Sequence, residues 1–428
     1  MDASVKFLRV RQKLVSHPIA DIPAAVREQL DGLKREVPQG EVAITAGSRG
    51  ISNIATILRA AGEWLRERGA RPFVVPAMGT HNGGTAEGQL AMLESLGVTN
   101  RALDMPVRAS MECVKIGELS DAPAELSEPG RPRPRYSNDV WMDRLAYESA
   151  GVLVANRVKL HTSFAGPVQS GLAKMMTVGL GKVGGARTFH DVPSAQLASR
   201  LLAMRDVVLA SGKIWAGLAI LEDGYDQTAE LHAVRPEDFA QAEPRLMERH
   251  QQYFPRLPLD DINVLVVDTI GKTYSGTGMD TNVIGYRGVR DFEDLTRPRI
   301  HVIAALALAE ASHGNGLGVG LADFITHRLR DAIDEQVTFF NSFTTGHMQL
   351  VKMPMAFRDD QELFERLAGR YGEHGWLVIP NTLHLETLYA SPDLREALEA
   401  NPICTVEPTS VELAFENGRH QLPFNATV

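Results

Sequence analysis

The chain has 428 residues, of which 44% are hydrophobic and 23% are charged, the composition of an ordinary globular protein. This length exceeds the size at which a single hydrophobic core stops growing, so two domains are expected. The net charge of -9 argues against the basic surface that nucleic-acid binding requires and favours a small-molecule ligand.

The cysteines and the apolar runs bear on the cellular compartment in which the protein is expected. Cys113 and Cys404, the two cysteines, stand far apart, which excludes a disulfide framework and a paired-cysteine zinc site. The N-terminus has no apolar core followed by a small-residue cleavage site, and the longest apolar run, residues 302–309, stops at Glu310. We therefore expect a cytoplasmic protein with no membrane partner.

Short β-branched runs alternate with helical patterns through the first half of the chain. Strands are predicted at residues 41–45, 72–76 and 151–155, and helices at residues 51–65 and 85–96. In the first of these helices the apolar residues recur at three- and four-residue spacing. This alternation predicts a mostly parallel sheet covered on both faces, so the expected fold class is α/β.

Two breaks interrupt the alternation. Residues 121–139 are rich in Pro, Arg, Glu and Ser, a composition that fits a long surface loop or a lid over a site. Residues 253–261 form the second break, and a strand at residues 262–267 restarts the pattern after it.

The second break sets the predicted domain boundary. We expect two α/β domains with mostly parallel sheets, an N-terminal one of residues 1–257 and a C-terminal one of residues 258–406, with a ligand cleft between them. Helices are predicted near residues 317–333 and 360–371. The tail, residues 407–428, is expected to pack back on the first domain.

The loop after the first predicted strand carries Ser48 and Arg49 in the segment Thr45-Ala-Gly-Ser-Arg-Gly50. Backbone N–H groups at a helix start, together with an arginine, suit a phosphate or a carboxylate. Ser48 suits equally well the N-cap of the following helix, with Arg49 in solvent. The sequence leaves both interpretations open.

The second predicted strand runs into the loop Gly79-Thr-His-Asn-Gly-Gly-Thr85, which is too rich in glycine to be explained by stability. His81 lies in this loop, at the strand end where α/β folds concentrate their sites. We interpret His81 as a functional residue.

Basic and imidazole side chains punctuate a glycine-rich run between residues 160 and 190. His161, Lys174, Lys182 and His190 all fall within it. Glycines let a backbone approach a ligand closely, while histidine and lysine supply metal ligands and positive charge. The run therefore predicts a site.

Two familiar motifs are absent from the sequence. Lys272 follows Gly271 as in a phosphate-binding P-loop, but the glycine required five residues earlier is Val266. The sequence has no HExxH pair, and His81, His161 and His190 are too far apart for a local metal motif. Any metal site must be assembled from separate elements or be supplied in part by a cofactor.

Taken together, Arg49, the Gly79–His81 loop and the series His161, Lys174 and His190 resemble the lactate racemase family, which uses a nickel-pincer nucleotide. These elements occur in the family's order, and Lys174 precedes His190 by sixteen positions (190 minus 174). The resemblance implies racemisation or epimerisation of a 2-hydroxy acid, lactate or a larger one such as a sugar acid, by reversible hydride transfer.

The resemblance also assigns the cofactor. It implies pyridinium-3-thioamide-5-thiocarboxylic acid mononucleotide with nickel, attached at Lys174, with His190 as the nickel ligand. Cofactor-synthesis enzymes are then implied as partners. His81 and His161 are the implied proton acceptors on the two faces of the substrate.

Three basic or polar side chains complete the implied site. Arg49 and Lys272 would hold the substrate carboxylate or the cofactor phosphate, and Ser48 belongs to the same cofactor-binding loop.

The sequence departs from the family pattern in two places. Ala46 replaces an aspartate, and three extra residues separate His161 from Lys174. Lys182 competes with Lys174 as tether but lies only eight residues before His190. Two other functions remain open: a non-catalytic anion- or nucleotide-binding homologue, and a zinc hydrolase that uses the three histidines of the site.

Overall fold

The structure is a computed structural model, and it describes residues 5–48, 50–120, 137–289 and 292–424. The chain divides into two compact units. The N-terminal unit is Val15–Phe254, and the C-terminal unit is Pro255–Val428 together with Met1–Leu14.

The strands are β1 (Lys6–Gln12), β2 (Gly40–Ala46), β3 (Ala70–Pro76), β4 (Cys113–Glu118), β5 (Asp139–Asp143), β6 (Gly151–Arg157), β7 (Ile214–Glu222), β8 (Thr228–Val234), β9 (Asp261–Ile270), β10 (Arg299–Leu308), β11 (Phe324–Thr326), β12 (Met355–Phe357), β13 (Trp376–Ile379), β14 (Thr387–Ala390), β15 (Cys404–Glu412), β16 (Phe415–Glu416) and β17 (Arg419–His420). The α-helices are α1 (Ile22–Gly32), α2 (Ile54–Glu67), α3 (Ala86–Ser95), α4 (Asn100–Leu103), α5 (Arg144–Glu148), α6 (Leu172–Lys174), α7 (Lys182–His190), α8 (Leu197–Ala210), α9 (Phe239–Tyr253), α10 (Thr281–Ile284), α11 (His327–Asp331), α12 (Glu335–Thr345), α13 (Asp360–Tyr371) and α14 (Arg395–Glu399). A π-helical turn, Met175–Gly179, follows α6 directly.

The N-terminal unit contains a five-stranded sheet in the order β3-β2-β6-β7-β8. The first four strands are parallel, and β8 pairs antiparallel with β7. Successive strand residues face opposite sides. Ala43 and Val154 accordingly pack in one core, and Ile44 and Leu153 in the other. The sheet is covered on both faces, which confirms the predicted α/β class.

The predicted elements of this unit are present with small shifts. The helix predicted over residues 51–65 begins at Ile54, because Asn53 adopts a left-handed conformation with φ 61° at the cap position. The helix predicted over residues 85–96 is α3, and the side chain of Thr85 accepts the backbone N–H of Gly88 as its N-cap.

The C-terminal unit contains an eight-stranded sheet in the order β12-β11-β10-β9-β13-β14-β1-β15. The first five of these strands are parallel, and β14, β1 and β15 add antiparallel pairs. Buried side chains such as Val264, Val302 and Trp376 form the core on one face.

The division of the chain differs from the predicted one. The structure separates the units after Phe254 and places Met1–Leu14 with the C-terminal unit, where β1 pairs with β14 and β15. The tail expected on the first domain begins within β15 and stays in the C-terminal unit up to the last described residue, Phe424. A strand satisfies its backbone groups on both edges, and its own sequence does not specify which sheet supplies the partners.

The prediction of a helix near residues 317–333 is wrong. The segment instead contains a 3₁₀ turn, Val319–Leu321, then β11 and α11. Gly318 precedes the turn with φ 104°, a left-handed conformation that ends regular helical geometry and favours glycine. The helix predicted over residues 360–371 is confirmed as α13.

Most of the predicted Pro/Arg loop, residues 121–136, lies outside the described residues. Within the described ranges, none of the helices combines the length and the apolar character needed to span a bilayer.

Candidate functional site

Three neighbouring parallel strands of the N-terminal unit end at one edge of its sheet. β2 ends at Ala46, β3 at Pro76 and β6 at Arg157. From β2 the chain continues into β3 on one side, whereas β6 lies on the other side. Strand order therefore reverses between β2 and β6, and the carboxyl ends at such a point form the usual ligand crevice of an α/β sheet.

The loops after β2 and β3 both pack against the π-helical turn, Met175–Gly179. A methyl group at Gly47 would lie 3.0 Å from Cε of Met175. The backbone N–H of Gly79 donates to the carbonyl oxygen of Gly179 at 3.3 Å. Since this turn directly follows the predicted tether, the two loops and the glycine-rich run lie together at this edge.

Ser48 and His81 contact each other across these loops. Oγ of Ser48 is hydrogen-bonded to Nδ1 of the exposed His81. Because α2 begins at Ile54 with Asn53 at its cap position, Ser48 is not the N-cap, and that interpretation is wrong. Arg49 lies outside the described residues.

Lys174 and His161 form a hydrogen-bonded pair, with Nζ 2.6 Å from Nε2. The backbone N–H of Ser163 donates to Nδ1 of His161 at 3.1 Å and orients the ring. A base in hydrogen-bond contact with a lysine amine can take its proton and leave the nucleophilic form. The pair therefore makes His161 the candidate base for Lys174.

The His161–Lys174 pair leads to a chemical prediction. Replacing His161 with Phe keeps a ring against Phe164 but removes the ring nitrogen that is hydrogen-bonded to Nζ of Lys174 and can take a proton from the amine. We expect at least a tenfold fall in the rate of trace acetylation of Lys174 by acetic anhydride near pH 7, measured by peptide mass spectrometry. The exposed His374, changed to Phe, is the control. Equal rates in the wild type and His161→Phe would contradict a role of His161 as the base for Lys174.

Aromatic contacts connect the remaining predicted residues to this pair. The ring of His161 lies 4.3 Å from that of Phe164, which lies 5.8 Å from that of Phe189. Nζ of Lys174 lies 5.8 Å from the centre of the Phe189 ring. The ring of the adjacent His190, the last residue of α7, is 4.8 Å from that of Phe189. The predicted base and tether thus lie in one cluster with Phe164 and Phe189, and the predicted metal ligand is the next residue after Phe189.

Two amide side chains that the sequence did not single out as functional order this segment. Oε1 of Gln169 accepts the backbone N–H of His161 at 2.8 Å, which closes the loop between them. Nδ2 of Asn156 donates to the carbonyl oxygen of Gly171 at 2.7 Å. The position of Asn156 near the end of a parallel strand was the available signal.

Lys182, the alternative tether, forms a buried ion pair. Its side chain is fully buried, with Nζ 3.2 Å from Oδ2 of Asp143, which is equally buried. Nζ also donates to the carbonyl oxygen of Pro76 and, at 2.9 Å, to Oε1 of Gln89. Burial raises the pKa of Asp143 and lowers that of Lys182, while their mutual attraction acts in the opposite direction. This arrangement assigns Lys182 to the scaffold and supports Lys174 as the reactive lysine.

The metal-binding capacity of the cluster is limited. Among the described residues, no three His, Cys, Asp or Glu side chains gather in a group that could hold a metal ion. A zinc hydrolase would need His81, His161 and His190 around one ion, so this alternative loses its support.

Lys272 belongs to the C-terminal unit. It lies just after the carboxyl end of β9, half-buried, and its backbone N–H donates to Oγ of Ser312 at 2.9 Å. Its role in ligand binding stays a prediction.

Comparison with known proteins supports the fold. The chain is similar to the lactate racemase apoprotein from Thermoanaerobacterium thermosaccharolyticum, with a TM-score of 0.51 over 87% of this chain and 94% of that chain. The two sequences are 12% identical, so the likeness shows a shared fold. No protein-family model matches the sequence, and no curated protein matches it.

Proposed function

We propose that this protein is a racemase or epimerase of a 2-hydroxy acid that works with a nickel-pincer nucleotide attached at Lys174. The observation that carries the proposal is the pairing of the Lys174 amine with His161 at the carboxyl edge of the sheet. The order of Arg49, His81, His161, Lys174 and His190 along the chain, and the fold shared with a lactate racemase apoprotein, support the same function.

The side chains fit such a cofactor. A half-buried amine at Lys174, hydrogen-bonded to an imidazole that can take its proton, suits a covalent link to an acyl-type carbon. His190 offers a nitrogen donor, and among the described residues no three His, Cys, Asp or Glu side chains gather around one point, which suits a nickel ion whose remaining ligands come with the nucleotide. Ser48 is proposed to bind its phosphate or the substrate carboxylate.

When bound, the nucleotide would supply a hydride acceptor for the substrate α-carbon. Side chains of the protein are proposed to accept the proton of the substrate hydroxyl and to return it. With Lys174 linked to the nucleotide, Nε2 of His161 would no longer face a free amine, and His161 is proposed to accept the proton of the substrate hydroxyl there and to return it after the hydride transfer. His81, oriented by Ser48, is proposed to do the same on the opposite face.

Co-production with the cofactor-synthesis enzymes tests this function. We expect the intact protein to gain the mass of the nucleotide at Lys174, to bind nickel, and to interconvert the enantiomers or epimers of a 2-hydroxy acid in a substrate panel. A substrate deuterated at the α-carbon should keep its deuterium, because a transferred hydride does not exchange with water. Lys174→Ala should lose all three properties, and Lys352→Ala, at an exposed position, should keep them.

Three outcomes would contradict the proposal. Attachment at another lysine, or no attachment in the presence of the nucleotide, rules out the role of Lys174. Binding of nucleotide and 2-hydroxy acid without interconversion would favour the non-catalytic homologue, for which Ala46 in place of the family's aspartate is the motivating departure.

A further inference from the structure

Glu243, on α9, reaches the start of the helix that carries Lys174. Oε1 of Glu243 accepts the backbone N–H of Ala173 at 2.9 Å, from seventy residues away in the sequence. The residue at the cap position of α6 is Gly171, which has no side chain to accept this N–H. Glu243 thus supplies from another helix the acceptor that a Ser, Thr, Asp or Asn cap normally provides.

The backbone at the cap position, Gly171, lies close to the Glu243 carboxylate. Gly171 has φ 106° and ψ -147°, a combination that essentially only glycine adopts. A methyl group at Gly171 would lie 3.2 Å from Oε1 of Glu243. The carbonyl oxygen of Gly171 is held by Asn156, so the first turn of α6 is fixed from β6 and from α9. Lys174 lies at the end of that turn.

Stability alone does not explain a carboxyl group at this position. Glu243 is 1% exposed, and its second oxygen, Oε2, has no hydrogen-bond partner among the described residues. A buried, partly satisfied carboxylate destabilises the folded state, and an unsatisfied buried atom calls for an explanation. Arg205 on α8 contributes the one charged attraction identified at this carboxyl among the described residues.

We propose that Glu243 is a positioning residue for Lys174: its carboxylate holds the first turn of α6, and protonation of the carboxyl loosens that hold. A carboxylate accepts backbone N–H groups more strongly than a neutral carboxylic acid does. Burial raises the pKa of Glu243 to about 7, so the change falls in the neutral range. The inference rests on the proposed function only in taking Lys174 as the reacting amine.

Trace acetylation of the purified full chain tests the proposal without any nucleotide. The ratio of the acetylation rates of Lys174 and the exposed Lys352 is measured by peptide mass spectrometry from about pH 5.5 to about pH 8.5. In the wild type we expect this ratio to change about fivefold in one step, in addition to the change that the amine's own titration causes. Fivefold is the factor that corresponds to the difference in strength between a charge-assisted and a neutral hydrogen bond. The step should centre at about 7.

Two variants separate positioning from general effects. Glu243→Gln keeps an acceptor oxygen but cannot ionise, so its profile should lack the step. Glu248→Gln, which changes an exposed glutamate on the same helix, should keep it. A wild-type profile without the step, or a Glu243→Gln profile that superimposes on that of the wild type, would overturn the proposal. Because acetylation needs no cofactor, the step is expected even if the chain never binds a nucleotide.

Discussion

Lys182→Met is expected to destabilise the N-terminal unit by about 3 to 5 kcal/mol, the range found when one partner of a buried ion pair is removed. The substitution leaves the Asp143 carboxylate without its charged partner in a fully buried position. It also leaves the carbonyl oxygen of Pro76 and the amide oxygen of Gln89 without their shared donor. The measurement is the free energy of unfolding from urea titration at pH 7.

A double variant isolates the electrostatic part of this effect. Lys182→Met combined with Asp143→Asn removes the unpaired charge, while Asn keeps an oxygen that can accept the N–H of Ala146 at the start of α5. The double variant should recover a large part of the lost stability. Arg59→Met, at an exposed ion pair with Glu63, is the matched control and should cost less than about 1 kcal/mol. A loss of that small size in Lys182→Met would show that the buried pair contributes little.

Local patterns explain why the fold could be predicted. Apolar spacing along α2 and the β-branched runs of β2, β3 and β6 specify helices and strands through the period of their side chains. The partners of β1 were not predictable in this way, because pairing depends on a sheet that forms from residues more than 370 positions later.

The same distinction between local patterns and long-range contacts applies to the candidate site. The position of His81 at a strand end could be inferred from the sequence, since the carboxyl ends of parallel strands meet at one edge. The pairing of His161 with Lys174 could not, because a loop of irregular geometry brings Nε2 and Nζ together. The contact of Glu243 with Ala173 joins two helices seventy residues apart, and an ordinary amphipathic helix gives no sign of it.

The second large effect concerns the pH dependence of stability at Glu243. Burial raises the folded-state pKa of Glu243 from 4.5 to about 7. Between these values the folded state binds more protons than the unfolded state, so this group's contribution to stability falls as pH rises to about 7 and is constant above it. The full difference corresponds to about 3 kcal/mol.

Glu243→Gln removes this contribution. As the pH rises from about 4.5 to about 8, the free energy of unfolding of the variant should increase by about 3 kcal/mol relative to that of the wild type. Urea titration followed by tryptophan fluorescence measures the change, since Trp64, Trp141 and Trp215 lie in the N-terminal unit. Glu248→Gln is the control and should run parallel to the wild type.

Stability and acetylation test different properties of Glu243. The pH dependence of stability requires only that the carboxyl is buried, whereas the step in Lys174 acetylation requires that its charge acts on the first turn of α6. If Glu243→Gln gains stability at high pH but keeps the acetylation step, the carboxyl is a buried group without influence on Lys174. If both change together, the free energy lost by burying the carboxylate at neutral pH is coupled to the placement of the Lys174 amine.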